Sequence, residues 1–200
     1  MGEKNRKSLR LKGYDYSKCG AYFVTICTRN RAEILGTLNI LNQSYDVDTI
    51  VVHDPCRGDP CGRPYVDISE LGRIAIETIN TIESMFPCQI VEYMIMPDHI
   101  HLVLFLNIEK ATTRVAPTEY CGYNNVTLGR VVGAYKSLIS NVWRKQCVKR
   151  SVQFGNIWQR GYFEHIIRSP DELYQIRKYI RENPIRKYYT GMANEKQKQT

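Results

Sequence analysis

Tyr93-Met94-Ile95-Met96-Pro97-Asp98-His99-Ile100-His101-Leu102-Val103-Leu104-Phe105 joins two apolar runs at a Pro-Asp pair, and the second run opens with His-Ile-His. Side chains alternate faces along a strand, so His99 and His101 share one side while Ile100, Leu102 and Leu104 take the other. The strand rise puts the two histidine Cα atoms roughly 7 Å apart, near enough for both imidazoles to reach one divalent metal. Two of the chain's four histidines stand here. The plain alternative is a half-buried strand carrying two histidines by chance. Pairing within one apolar strand favours a metal or phosphate site.

Outward from this strand the chain reads as an α+β protein. Gln89 to Met96 and His99 to Asn107 form two antiparallel strands across the Pro97-Asp98 turn. Ala21 to Thr28 is β-branched and aromatic and predicts a strand, and Ile34 to Ile40 a short strand or turn. Ser69 can cap a helix through about Met85, whose apolar stripe is Leu71, Ile74, Ala75, Thr78, Ile79 and Ile82. Thr127 can cap a second helix from Leu128 to about Lys145. Phe154 to Ile167 reads as a loop entering a short strand. Ser169-Pro170-Asp171-Glu172 combines a cap, a proline at the first helical position and a glutamate three residues after the cap. That helix is expected from Asp171 to about Glu182, because Pro184 disfavours helical geometry at Asn183. Residues 42–64 and 109–125 break the pattern and read as loop insertions, and 191–200 as a flexible tail. His53, Cys56 and Cys61 fit no common zinc spacing.

The chain has 200 residues, enough for one domain with a sizeable core, here expected over 1–190. It contains no run of about 18 apolar residues and no apolar leader, so a cytoplasmic protein with no membrane partner is expected. Seven scattered cysteines without a Cys-x-x-Cys pair suggest reduced thiols. The net charge of +8 is concentrated late: residues 141–200 hold 13 Lys/Arg against 5 Asp/Glu. That asymmetry suits a polyanion partner, though a solvated basic surface would look the same.

Tyr179 and Asn183 are four apart and share a face of the last helix. A phenol is a poor nucleophile unless neighbouring cations or a metal-polarised electrophile assist it, and Arg177, Lys178 and Arg181 surround this one. Asn183 could complete a coordination set begun by the histidines. The alternative is that Tyr179 packs on the sheet and Asn183 caps the helix.

Met96 to Val103 resembles the Pro-x-His-x-His strand of the single-tyrosine HUH transposases. Trp158-Gln159-Arg160-Gly161-Tyr162-Phe163-Glu164-His165-Ile166-Ile167-Arg168 resembles the aromatic segment of their REP-associated tyrosine transposase branch. Tyr179-Ile180-Arg181-Glu182-Asn183-Pro184 is similar to that branch's Tyr-Ile-x-x-Asn-Pro signature, and Tyr22 to Thr28 with Arg29-Asn30-Arg31 to its opening. The likeness runs in order from about residue 10 to 190. It implies a ferredoxin-like antiparallel sheet with helices packed on it, Mg²⁺ or Mn²⁺ on His99, His101 and Asn183, and Tyr179 as nucleophile. It also implies DNA transposition by cleavage and transfer of single-stranded or hairpin DNA through a 5′-phosphotyrosine.

Arg144, Lys145, Lys149, Arg150, Arg177, Lys178, Arg181, Arg186 and Lys187 are expected along the phosphate backbone. Trp158, Tyr162 and Phe163 could stack on unpaired bases or fill the core. His165 reads as an auxiliary ligand or a structural histidine, Asp98 as a turn residue, and Tyr135 as a competing nucleophile or a core residue. A homodimer is compatible with the sequence. Two other functions stay open: a hairpin-DNA-binding descendant without catalysis, and a histidine-based nucleotide hydrolase or transferase. The latter would want a third histidine in register, where Val103 stands.

Overall fold

A computed structural model describes residues 13–40, 64–106 and 126–198, with side chains to 190. The loops expected at 42–64 and 109–125 lie outside the described residues, except Pro64, which opens a strand. The elements are β1 (Gly20–Cys27), a 3₁₀ turn (Arg29–Arg31), β2 (Gly36–Ile40), β3 (Pro64–Ile68), α1 (Glu70–Met85), β4 (Cys88–Met96), β5 (His99–Leu106), α2 (Leu128–Lys149), β6 (Phe163–Ile167) and α3 (Pro170–Lys198).

Four strands form one antiparallel sheet in the order β4-β5-β1-β6, while β2 and β3 pair as a separate ribbon. Leaving the ribbon aside, the main elements read βαββαβ with a split βαβ order, the ferredoxin-like arrangement, and α3 is added after β6. The sequence supports this locally. Ser69 accepts from the Gly72 N–H and Thr127 from the Arg130 N–H, capping α1 and α2 as their spacing predicts. Gly72 is required by a close approach: a Cβ there would meet the Leu35 carbonyl.

Alternation along β1 and β5 sorts residues to two faces. Tyr22, Val24, Ile26, Ile100, Leu102, Leu104 and Leu106 pack with the apolar stripes of α1 and α2 into the main core. Val103, Phe23 and Ala21 face the other way and meet Leu173, Ile176 and Ile180 of α3 in a smaller core. In β4 the ladder with β5 shifts register between Ile90 and Glu92. Such an irregularity breaks strict alternation, and it brings Val91 and Glu92 to the α3 side, where Glu92 bonds Arg177 and Arg181.

Two expectations need correction. Helix α3 does not stop near Glu182 but continues through Pro184 to Lys198. Proline removes one helical N–H and disfavours helix before it. Here Pro184 is buried, and the side chains of Asn183 and Lys187 on either side of it are bonded to His101 and Asp98, which hold the helix in register. Nor are all cysteines reduced thiols: Cys19 is disulfide-bonded, while Cys27, Cys88 and Cys147 are free and buried. Among the described residues, no helix is long and apolar enough to cross a membrane.

Candidate active site

His99 and His101 emerge from β5 on the α3 face, beside the turn that leads in from β4. Their Nε2 atoms stand 3.1 Å apart. Each Nδ1 is engaged on the outer side. His99 Nδ1 lies 2.8 Å from Asp98 Oδ1, and since an ionised carboxylate only accepts, His99 donates there and its Nε2 is left to face His101. His101 Nδ1 lies 2.9 Å from Thr25 Oγ1 on the neighbouring strand, where Thr25 is the register partner of His101.

Helix α3 brings the remaining groups. Its buried stripe of Leu173, Ile176 and Ile180 continues into Asn183, whose amide lies 3.1 Å from His101 Nε2. One turn before Asn183, the Tyr179 ring stands edge-on to His101 with centroids 5.5 Å apart and meets Phe23 at 6.1 Å. Tyr179 is 38% exposed. Arg186 places its guanidinium 5.7 Å from the Tyr179 ring centre and pairs with Glu182 at 2.9 Å. These groups open on one cleft of about 660 Å³ that Arg31, Phe163 and Lys187 also line.

Three sets of polar contacts fix α3 over the sheet. Glu172 accepts from the Arg168 N–H and bonds His165 at 2.6 Å at the helix start. Arg177 and Arg181 donate to the buried carboxylate of Glu92 at 2.9 and 3.0 Å. Lys187 donates to Asp98 and Glu33, each at 2.8 Å.

The charges follow from these contacts. Burial alone would raise the Asp98 carboxyl, but bonds to His99 and Lys187 outweigh it and hold the group well below the usual carboxylate range. Burial above all, with His99 close by, pushes His101 down to about 3. His101 is therefore neutral at ordinary pH, the form in which an imidazole binds metal. The two Nε2 atoms are the groups here that could hold a divalent ion, and Asn183, whose Nδ2 faces His101, could join them through its carbonyl oxygen. Among the described residues, no three His, Cys, Asp or Glu side chains gather into a metal cluster.

The structure thus brings His99, His101, Asn183, Tyr179, Arg186, Lys187 and Phe163 together. It separates the others. Arg144, Lys145, Lys149 and Arg150 belong to α2, which packs on the opposite face of the sheet, and Arg150 pairs with Glu70. Arg177 and Arg181 are engaged by Glu92, and Lys178 lies 3.9 Å from Glu182. Trp158 is not available for base stacking: it is 6% exposed, and its indole N–H donates to Lys136 O and Ser140 Oγ. Tyr162 packs against the main core, whereas Phe163 is 41% exposed at the cleft.

Tyr135 is not positioned as a competing nucleophile. It is buried, and its hydroxyl donates to Ala75 O at 2.7 Å. His165 is paired with Glu172 away from the histidine pair, the structural alternative. Sequence reasoning missed Arg31 and understated Asp98. A carboxylate directly before His-x-His was the available signal for Asp98; Arg31 stood only within the Arg29-Asn30-Arg31 resemblance, which gives it no role, and a tertiary contact places it.

No family model matches the chain. An "Uncharacterized protein" of Haemophilus influenzae (strain ATCC 51907 / DSM 11121 / KW20 / Rd) is 30% identical over 193 residues, covering 92% of this chain and 91% of that one. Among solved structures, a REP-associated tyrosine transposase bound to a REP hairpin is similar with a TM-score of 0.54 at 17% identity, over 88% of this chain and 73% of that one. By sequence the chain belongs to the family of the Haemophilus influenzae protein, and its α+β architecture is the fold of that tyrosine transposase.

Proposed function

We propose that the protein is a transposase-type DNA strand transferase that cuts and rejoins single-stranded or hairpin DNA, with Tyr179 as nucleophile. The observation that carries this reading is the meeting of Tyr179 and Asn183 from α3 with His99 and His101 from β5 in one cleft. The likeness in fold to a transposase bound to a REP hairpin supports it.

In this reading the Tyr179 oxygen attacks a phosphodiester phosphorus. The bond from phosphorus to the 3′-oxygen breaks, and the downstream strand is held as a 5′-phosphotyrosine. The departing oxygen takes a proton from water and becomes a free 3′-OH, while the phenol gives its proton to solvent, which its partial exposure admits. Another 3′-OH reverses the step, so no nucleotide cofactor is consumed. Mg²⁺ or Mn²⁺ held by His99, His101 and Asn183 would supply the Lewis acid that draws charge from the phosphoryl oxygens. Asp98 and Thr25 orient the two imidazoles from behind. Arg186 puts positive charge over the ring that becomes electron-rich as its proton leaves. Phe163 offers a face for an unpaired base.

The test is a set of 3′-labelled hairpin and linear oligonucleotides incubated with the protein in Mn²⁺ or Mg²⁺. A covalent protein–DNA adduct is expected. Tyr179→Phe should abolish it while leaving DNA affinity within a few fold. An adduct that persists in Tyr179→Phe rejects the nucleophile. Free cleavage products without any adduct point to a hydrolase, and hairpin binding without cutting points to a non-catalytic DNA-binding protein.

A further inference from the structure

The turn after β1 holds two consecutive non-glycine residues in the left-handed region, Asn30 at φ 55° and Arg31 at φ 56°. Only glycine enters this region without strain; asparagine is tolerated, whereas arginine has no local reason to be there. The surrounding bonds impose it. The Thr28 hydroxyl lies within hydrogen-bond reach of both the Ala32 and Asp98 carbonyls, and the Thr28 N–H donates to Asp98 O. The Arg29 N–H donates to Ile157 O, and the Leu35 N–H to Pro97 O. The 3₁₀ turn is thereby fastened to the Pro97-Asp98 turn, which carries the histidine pair.

Arg31 reaches into the cleft from this turn. Its Nη1 donates to Asp98 Oδ2 at 3.3 Å, a long bond, and its side chain is 51% exposed. The other two cations of the cleft are committed differently. Lys187 lies between two carboxylates at 2.8 Å each, and Arg186 is bound to Glu182 while lying over Tyr179. A guanidinium has five N–H donors in a planar fork, so Arg31 can keep its bond to Asp98 and present further donors to a phosphate.

We propose that Arg31 is a substrate-contacting residue, whose guanidinium takes a non-bridging oxygen of the phosphodiester presented to Tyr179. This rests on the reading of the cleft as a DNA-cleaving site. The strained backbone is then explained by function: it aims a fork-shaped cation into the cleft that Tyr179 also lines, on the same carboxylate that orients His99.

The backbone geometry supplies a discriminating variant. Arg31→Gly removes the guanidinium and relieves the left-handed conformation, so it should unfold at or above the wild-type temperature. Its adduct formation should fall at least tenfold and its affinity for a single-stranded oligonucleotide several-fold. Arg31→Gln, which keeps the Cβ and most of the chain, should lose the same activity, and this variant decides the matter if Arg31→Gly proves less stable. Arg31→Lys should recover affinity more than rate, because a point charge replaces the fork.

Rates and affinities of Arg31→Gln within twofold of wild type overturn the proposal. If the wild-type protein forms no adduct, the DNA-cleaving reading fails first. Arg31 is then judged by oligonucleotide binding in EDTA alone, where unchanged affinity in Arg31→Gln again overturns it.

Discussion

The Asn183 amide lies 3.1 Å from His101 Nε2, joining helix α3 to strand β5 across 82 positions of sequence. That contact puts Tyr179, one helical turn earlier, beside the histidine pair. Asn183→Ala should leave the apolar packing of Leu173, Ile176 and Ile180 intact but remove one of the three groups proposed for the ion. The Mn²⁺ concentration giving half-maximal adduct should rise by about 10- to 100-fold, the range seen when a metal site's supporting contacts are lost. A Mn²⁺ titration of adduct yield checks this; an unchanged midpoint removes Asn183 from the ligand set.

Tyr135 supplies the contrasting case. Its hydroxyl donates to Ala75 O inside the core between α1 and α2, on the far face of the sheet from the cleft. Burial pushes the phenol far above its ordinary range. Tyr135→Phe should leave the Ala75 carbonyl without that donor and destabilise the protein by about 1–2 kcal/mol, with adduct formation unaffected. Urea unfolding and the adduct assay together test both halves. Loss of the adduct in a folded Tyr135→Phe variant would contradict the assignment of Tyr179.

The main elements were legible because each carries a local signal: caps at Ser69, Thr127 and Ser169, stripes of helical period, and alternation in β1 and β5. The histidine pair and the Tyr179-Asn183 spacing were legible for the same reason. What escaped depends on tertiary contact. Strand β3 begins at Pro64, at the end of a stretch rich in Pro and Gly, and its pairing with β2 cannot be read from either strand alone. The irregularity at Glu92 has no sequence mark, so Arg177 and Arg181 read as DNA contacts rather than partners of a buried carboxylate. Trp158 is ambiguous by type, since an indole suits both a core and a base; its bonds to Lys136 and Ser140 decide for the core. Pro184 counts for less than its residue type suggests, because one missing helical bond is small beside the contacts that pin Asn183 and Lys187.

Glu92 offers a stability test. It is 5% exposed and bonded to two guanidiniums that remain 40% and 64% exposed. Burial alone would raise its carboxyl, but the bonds to Arg181 and Arg177 outweigh it and leave the group below its ordinary value. Glu92→Gln removes the charge while both arginines can return to water. The loss should therefore be about 1–2 kcal/mol, short of the cost of stranding a fully buried ion. Because the folded value is depressed, this contribution is present above about pH 4.3 and disappears as pH falls through the folded value. Urea unfolding should show the variant's full deficit at pH 7 and a deficit that shrinks steadily as pH is lowered below about 4.3. A deficit that stays constant down to the most acid pH at which the wild-type protein is still folded would mean that packing, not charge, is what Glu92 supplies.

His101 gives the stability curve a different window. Its ordinary value is 6.5 and burial above all, with His99 close by, pushes it down to about 3 in the folded protein. Between those values the unfolded chain holds a proton at this position that the folded chain does not. Stability rises with pH wherever the unfolded state binds more protons, so folding should weaken as pH falls from about 6.5, by a few kcal/mol before pH 3 is reached. Glu92 and Asp98, both depressed, act mainly below about pH 4.5. His101→Gln removes the titrating ring, and its unfolding midpoints in urea with EDTA should be flatter than wild type between pH 6.5 and 4.5. Mn²⁺, if it binds the neutral imidazole as proposed, should steepen the wild-type dependence and leave the variant unmoved, because protons and metal compete for the same nitrogen. Parallel curves for the two proteins would show that the burial of His101 is not what ties folding to pH here.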